Sequence, residues 1–75
     1  MVQVRANTGG TAGEIISIRA KEGDEVKKGD ALCRLETMKM EMPIKSPCTG
    51  RVTKVNIRLG QSISDGDLLF EMEEK

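Results

Sequence analysis

The chain has 75 residues, and its twelve basic and twelve acidic side chains cancel. That length holds one hydrophobic core and leaves no room for a second. With no basic surplus and no polybasic run, nothing points to nucleic acid or a membrane surface, and with no apolar run longer than three residues no transmembrane segment is expected.

Histidine is absent, the two cysteines lack metal-ligand spacing, and the carboxylates form no calcium-loop pattern. No nucleophile stands beside a base, so the expectation is a protein that does not catalyse by itself. No secretory signal is visible, which predicts reduced thiols and a cytosolic or matrix location.

In chain order, Val2–Ala6 reads as a weak strand, followed by the polar stretch Asn7–Ala12. Residues 13–20 alternate strongly, with Ile16, Ile18 and Ala20 on one face and Ser17 and Arg19 on the other. Turns are predicted at Glu22-Gly23-Asp24 and Lys28-Gly29-Asp30, with a very short strand at Val26 between them. Residues 31–37 turn Ala31, Cys33 and Leu35 inward and Arg34 and Glu36 outward; Cys33 reads as a small core residue. Met40–Ser46 is a second weak strand, and Pro43, which cannot donate to a ladder, assigns it to an edge or an irregular position. Pro47 and Cys48 form the corner leading into Gly50.

Residues 50–57 present Thr53, Val55 and Ile57 inward and Lys54 and Asn56 outward. Turns at Leu59-Gly60-Gln61 and Asp65-Gly66-Asp67 flank a very short strand at Ile63. Residues 68–73 close the series, with Leu68, Phe70 and Met72 inward and Glu71 and Glu73 outward. Period two dominates, and the helical period is sustained nowhere.

These elements form two copies of one unit. Moved by 37 positions, residues 13–36 fall on residues 50–73 without a gap, and six positions are identical: Gly13/Gly50, Gly23/Gly60, Gly29/Gly66, Asp30/Asp67, Leu32/Leu69 and Glu36/Glu73. Two amphipathic strand–turn–strand units can bury their apolar faces only against each other, which predicts an all-β, flattened sandwich with quasi-twofold symmetry. The hairpin joining the units then falls at one end and the termini at the other. Lys39, between Met38 and Met40, sits on that joint and is the candidate attachment point.

At these residues the chain resembles the biotinyl domain, the biotin carboxyl carrier module of biotin-dependent carboxylases and decarboxylases. The signature of that family is Glu-Ala-Met-Lys-Met-Glu; here it reads Glu36-Thr37-Met38-Lys39-Met40-Glu41. The likeness runs over residues 13–73, through Lys21-Glu22-Gly23-Asp24, Lys28-Gly29-Asp30 and Ser46-Pro47-Cys48-Thr49-Gly50. It implies a single carrier domain over residues 1–75, a barrel-sandwich hybrid of two four-stranded antiparallel sheets with biotin amide-linked to Lys39. It implies a biotin protein ligase as the modifying partner, and carboxyl groups shuttled between biotin carboxylase and a carboxyltransferase or decarboxylase component. A cytoplasmic setting follows, or the mitochondrial matrix for a module of a eukaryotic carboxylase.

Three departures stand out. Thr37 replaces the usual alanine, a small change that leaves Lys39 open to modification. Asn7–Ala12 lacks the proline often found before the first-repeat glycine, which implies a more flexible approach to the second strand. No protruding thumb insertion is present.

Blander readings accompany each of these. Lys39 is otherwise a solvated hairpin lysine. Met38 and Met40 read as flanking recognition surface, but Met40 shares a parity with Met42 and Ile44, so Met40 or Met42 could instead fill the end of the core. Glu36 and Glu41 read as solvated strand charges. Lipoyl domains share the doubled architecture but flank their lysine with Asp and Ala, so the two methionines favour biotin. An unmodified sandwich within a larger assembly is the third reading.

Overall fold

A computed structural model describes residues 1–75 as eight strands and no helix. These are β1 (Val2–Arg5), β2 (Gly13–Ile18), β3 (Glu25–Val26), β4 (Ala31–Thr37), β5 (Glu41–Lys45), β6 (Gly50–Val55), β7 (Ser62–Ile63) and β8 (Leu68–Glu74). They form two four-stranded antiparallel sheets, ordered β1-β8-β6-β3 and β5-β4-β2-β7. The short strands are exchanged: β3 of the first unit pairs with β6 of the second, and β7 of the second pairs with β2 of the first. The two copies therefore clasp each other and do not merely stack.

The alternation expected for β2 and β6 is corrected. In place of Ile16, the inward residue at the start of β2 is the fully buried Ile15; in place of Thr53, that of β6 is the fully buried Val52. Ile16 and Thr53 are only half-buried, whereas Ile18 and Val55 pack half-buried against the core and Ala20 and Ile57 are buried, as expected. The cause is a bulge at the same place in each unit. Ile15 faces Leu35 and Ser17 faces Arg34, leaving Ile16 as the extra residue; Val52 faces Met72 and Lys54 faces Glu71, leaving Thr53. One inserted residue reverses the side-chain parity downstream.

A second bulge pair acts on the returning strands. Leu32 is extra on β4 against β5, and Leu69 is extra on β8 against β1. Both are fully buried next to an inward neighbour, Cys33 or Phe70, whereas Ala31 and Leu68 are only half-buried. The identity Leu32/Leu69 thus marks a bulge residue turned into the core. Cys33 and Leu35 are fully buried as expected, with Phe70, the sole aromatic residue, between the sheets.

Each predicted glycine turn closes in the same way. In Lys21–Asp24 the Asp24 N–H donates to the Lys21 carbonyl at 3.0 Å, and Asp24 Oδ2 accepts the Lys21 N–H at 3.0 Å. Gly23, at φ 93°, takes the left-handed position a type II turn requires there. The turn is then stitched to the other unit, with the Gly23 N–H donating to the Val52 carbonyl and the Val52 N–H to the Asp24 carbonyl, both at 2.8 Å. Its twin repeats the pattern, with the Gly60 N–H on the Ile15 carbonyl at 2.8 Å and the Ile15 N–H on the Gln61 carbonyl at 2.9 Å.

The approach to β2 is tied down despite its missing proline. Thr8 and Thr11 each donate a hydroxyl to the other's carbonyl, and Asp65 Oδ1 accepts the Thr8 N–H at 2.8 Å.

The register fixes the two ends of the molecule, which measures 35 × 20 × 16 Å. Gly13 and Thr37 pair beside the β4–β5 joint; Gly50 pairs with Glu74, and the Lys75 N–H reaches the Thr49 carbonyl at 3.0 Å. The joint and the termini lie at opposite ends, as the repeat predicts.

Candidate attachment site at the hairpin tip

Strands β4 and β5 are joined through Met38, Lys39 and Met40, and the Thr37 N–H donates to the Met40 carbonyl at 2.8 Å. Met38 and Lys39 are therefore the two central residues of a tight turn at the extremity of a rigid sheet. Strand β5, which follows the turn, runs straight into the core: Met42 packs half-buried against it, and Ile44 is buried. Of the two methionines in contention for the end of the core, Met42 fills it. Met40 stays 56% exposed and Met38 100% exposed.

Lys39 is exposed, and its ammonium takes part in none of the three ion pairs of the molecule. It is a free primary amine between two uncovered thioether side chains. Below it, Glu14 faces Glu36 across β2–β4, and Glu36 faces Glu41 across β4–β5. Arg34 pairs with Glu41 at 3.5 Å, leaving Glu14 and Glu36 without a cation. A shallow depression of about 300 Å³ opens beside the tip, walled by Gly13, Glu14, Thr37, Met38 and Ser62.

This geometry suits presentation, not chemistry. The tip is open to solvent, and no base or nucleophile converges on Lys39. The Cys33 thiol, pushed up to about 11 by burial, stays protonated at neutral pH deep in the core. Cys48 is also buried, at the Pro47 corner, where Ser46 Oγ donates to its carbonyl at 2.6 Å. The residue that sequence reasoning passed over is Thr37. Its hydroxyl accepts the Lys39 and Met40 N–H groups, each at 3.3 Å, and donates to the Met40 carbonyl at 3.2 Å. A hydroxyl at the first position of a β-turn is a known turn signal that the sequence did contain.

A family model described as "Biotin-requiring enzyme" matches residues 2–72. The chain belongs to that family. Within it, this biotinyl domain is 37% identical over 59 residues to the biotin carboxyl carrier protein of acetyl-CoA carboxylase of Solanum lycopersicum, covering 79% of this chain and 84% of that protein. It is 40% identical over 62 residues to the pyruvate carboxylase of Bacillus subtilis, covering 83% of this chain but 5% of that enzyme. Against the large carboxylases, then, the match is to one small module.

A relative of another kind is the dihydrolipoyllysine-residue acetyltransferase component of the pyruvate dehydrogenase complex of Mycoplasma capricolum, 38% identical over 64 residues, covering 85% of this chain and 15% of that protein. Among solved structures, a single-chain, multi-domain long-chain acyl-CoA carboxylase matches with a TM-score of 0.87 and 30% identity, over 99% of this chain and 7% of that one. The biotinyl domain is a carrier, not a catalytic unit, and its two open antiparallel sheets are those of its relatives. No helix of the structure is long and apolar enough to cross a membrane.

Proposed function

We propose that residues 1–75 form one carrier domain whose Lys39 amine takes biotin in amide linkage from a biotin protein ligase. The observation that carries this reading is the tip itself: an unpaired, exposed lysine between exposed Met38 and Met40, at the far end of a doubled, cross-stitched sandwich. The tip fits the group, because amide formation needs an accessible primary amine and a ligase needs an unobstructed approach. Met38 and Met40 offer soft, adaptable apolar surface to the ligase and to the partner enzymes. When attached, biotin supplies the ureido nitrogen that holds a carboxyl group in transit between biotin carboxylase and a carboxyltransferase or decarboxylase component.

The domain's own part is positional. The hairpin holds the Lys39 backbone still while its four-carbon stem swings. Tethering at a fixed point replaces a bimolecular encounter with a high effective concentration near both partner sites. The setting we propose is the cytoplasm, or the mitochondrial matrix for a eukaryotic parent.

A second reading is lipoylation of the same lysine, favoured by the 38% identity to the Mycoplasma acetyltransferase component. Intact mass after coexpression with a biotin ligase, and separately with a lipoate ligase, decides between them. The biotin reading expects the biotin increment, absent in Lys39→Arg. A folded protein that stays unmodified beside active biotin ligase overturns it.

A further inference from the structure

The tip turn lacks the usual means of staying rigid. Two-residue hairpin loops favour turns with positive φ at one or both central residues, because that backbone hand matches the twist of the flanking strands. No non-glycine residue of this protein has positive φ, so both Met38 and Lys39 hold negative values. The tip contains no glycine, and Met38 is wholly exposed, so packing does not anchor it either.

What does engage the tip is a single hydroxyl. Thr37 Oγ1 accepts from the N–H of Lys39 and from the N–H of Met40, both at 3.3 Å, and donates to the Met40 carbonyl at 3.2 Å. The Thr37 N–H reaches the same carbonyl at 2.8 Å. The two longer N–H contacts are what one oxygen shared between two donors gives. Thr37 alone contributes side-chain hydrogen bonds to residues 38–40.

We propose that Thr37 is a positioning residue, whose hydroxyl clasps the tip turn and thereby fixes the backbone from which Lys39 is offered to its modifying enzyme. The inference rests on the biotin reading for the identity of that enzyme, but not for the clasp. Its physical content is preorganisation. A tip already held in the engaged conformation gives up less conformational freedom on docking, so the effect falls on binding of the acceptor domain and not on the chemical step. Alanine at this position would leave the Lys39 and Met40 N–H groups to water.

The test compares the full-length protein with Thr37→Val, which keeps the shape and removes the hydroxyl, and with Thr37→Ser, which keeps the hydroxyl. Amide exchange at Lys39 and Met40, corrected for intrinsic rates, is expected to quicken about fivefold in Thr37→Val, the size of one net hydrogen bond, and to return in Thr37→Ser. With a biotin protein ligase, Thr37→Val is expected to raise KM for the acceptor domain by about three- to tenfold at unchanged kcat, as loss of uniform binding does, again restored by serine. Unchanged exchange in Thr37→Val, a defect confined to kcat, or a defect that serine does not restore overturns the proposal. If the wild-type protein is itself never modified, the biotin reading fails, and the exchange contrast alone decides whether Thr37 sets the tip.

Discussion

The two ends of this molecule are related by its internal repeat, yet their surfaces have diverged. At the end bearing the termini, Arg51 of β6 lies between Glu25 of β3 and Glu73 of β8, pairs with Glu73 at 3.8 Å, and leaves Glu25 to Lys75. At the hairpin end the matched row reads Ser62, Glu14, Glu36, continued by Glu41. Where one unit has arginine between two acids, the other has Glu14 directly opposite Glu36. Like charges facing each other across strands destabilise a sheet, and opposite charges support it. The apolar frame is thus duplicated faithfully while the charge pattern is not, and the end that presents Lys39 is the one left electrostatically unrelaxed.

The frame itself can be set against its own twin by mutation, and there the largest effects are expected. Phe70 and Cys33 occupy matched, fully buried positions of different volume. Phe70→Ala should cost about 3–5 kcal/mol, a large share of the total for a domain whose stability is about 0.05–0.15 kcal/mol per residue. Cys33→Ala should cost about 1 kcal/mol. Urea unfolding of the two variants measures the asymmetry; equal losses would show that the sheets repack freely around either position.

Next come the matched glycines. A Cβ on Gly50 would stand 2.2 Å from the Glu73 carbonyl oxygen, whereas on Gly13 it would meet Leu35 Cδ1 at 3.1 Å and the Glu36 oxygen at 3.2 Å. Gly50→Ala must displace backbone, and belongs at the upper end of the roughly 1–3 kcal/mol of overpacking. At Gly13 the Leu35 methyl gives way more easily, and the lower entropy of alanine in the unfolded state returns about 0.4–1 kcal/mol. Gly13→Ala is therefore expected close to neutral, checked by the same unfolding curves.

These contrasts explain what the sequence could and could not reveal. The number of strands, their turns, the joint at Lys39 and the opposed ends all follow from period-two patterning and the 37-residue shift, because burial and glycine conformation leave direct marks on residue type. The inward residues of β2 and β6 ahead of Ile16 and Thr53 did not follow, because a bulge changes the count without changing composition. The apolar pair Ile15/Val52, off the expected inward parity in both units, was its visible trace, as the identity Leu32/Leu69 was that of the second bulge pair on β4 and β8. At the tip, Lys39 and its exposed methionines were legible from the motif. Thr37 was read as a neutral replacement because it was weighed against alanine as a strand residue, although a hydroxyl opening a turn is itself a signal.

A smaller effect comes from rewriting one end in the image of the other. Glu14→Arg recreates at the hairpin end the arrangement of Arg51 with Glu73, turning a like-charged facing pair into an attractive one. The expected gain is about 0.2–1 kcal/mol, seen as a rise of a few degrees in Tm at low salt and shrinking as salt is added. No gain at low salt would mean that Glu14 and Glu36 already avoid each other by rotamer choice.

The smallest effect concerns the relaxed end. The Lys75 ammonium hydrogen-bonds the exposed Glu25 carboxylate and, by that bond and by its charge, holds the carboxyl below its ordinary value of 4.5. Burial opposes this weakly, and Arg51 adds to it. With the folded value depressed, the unfolded state binds the proton more tightly, so the ion pair stabilises fully above the unfolded value and its contribution is lost as pH falls through the folded one. Lys75→Met should therefore leave Glu25 titrating nearer its ordinary value and make Tm less steep in pH below about 4.5, with little change at neutral pH because the pair is open to solvent. NMR titration of the Glu25 carboxyl reads this directly, and identical midpoints in the two proteins would show the pair to be absent in solution. The hairpin end has no such pair at Glu14 or Glu36. The neutralised end alone should respond.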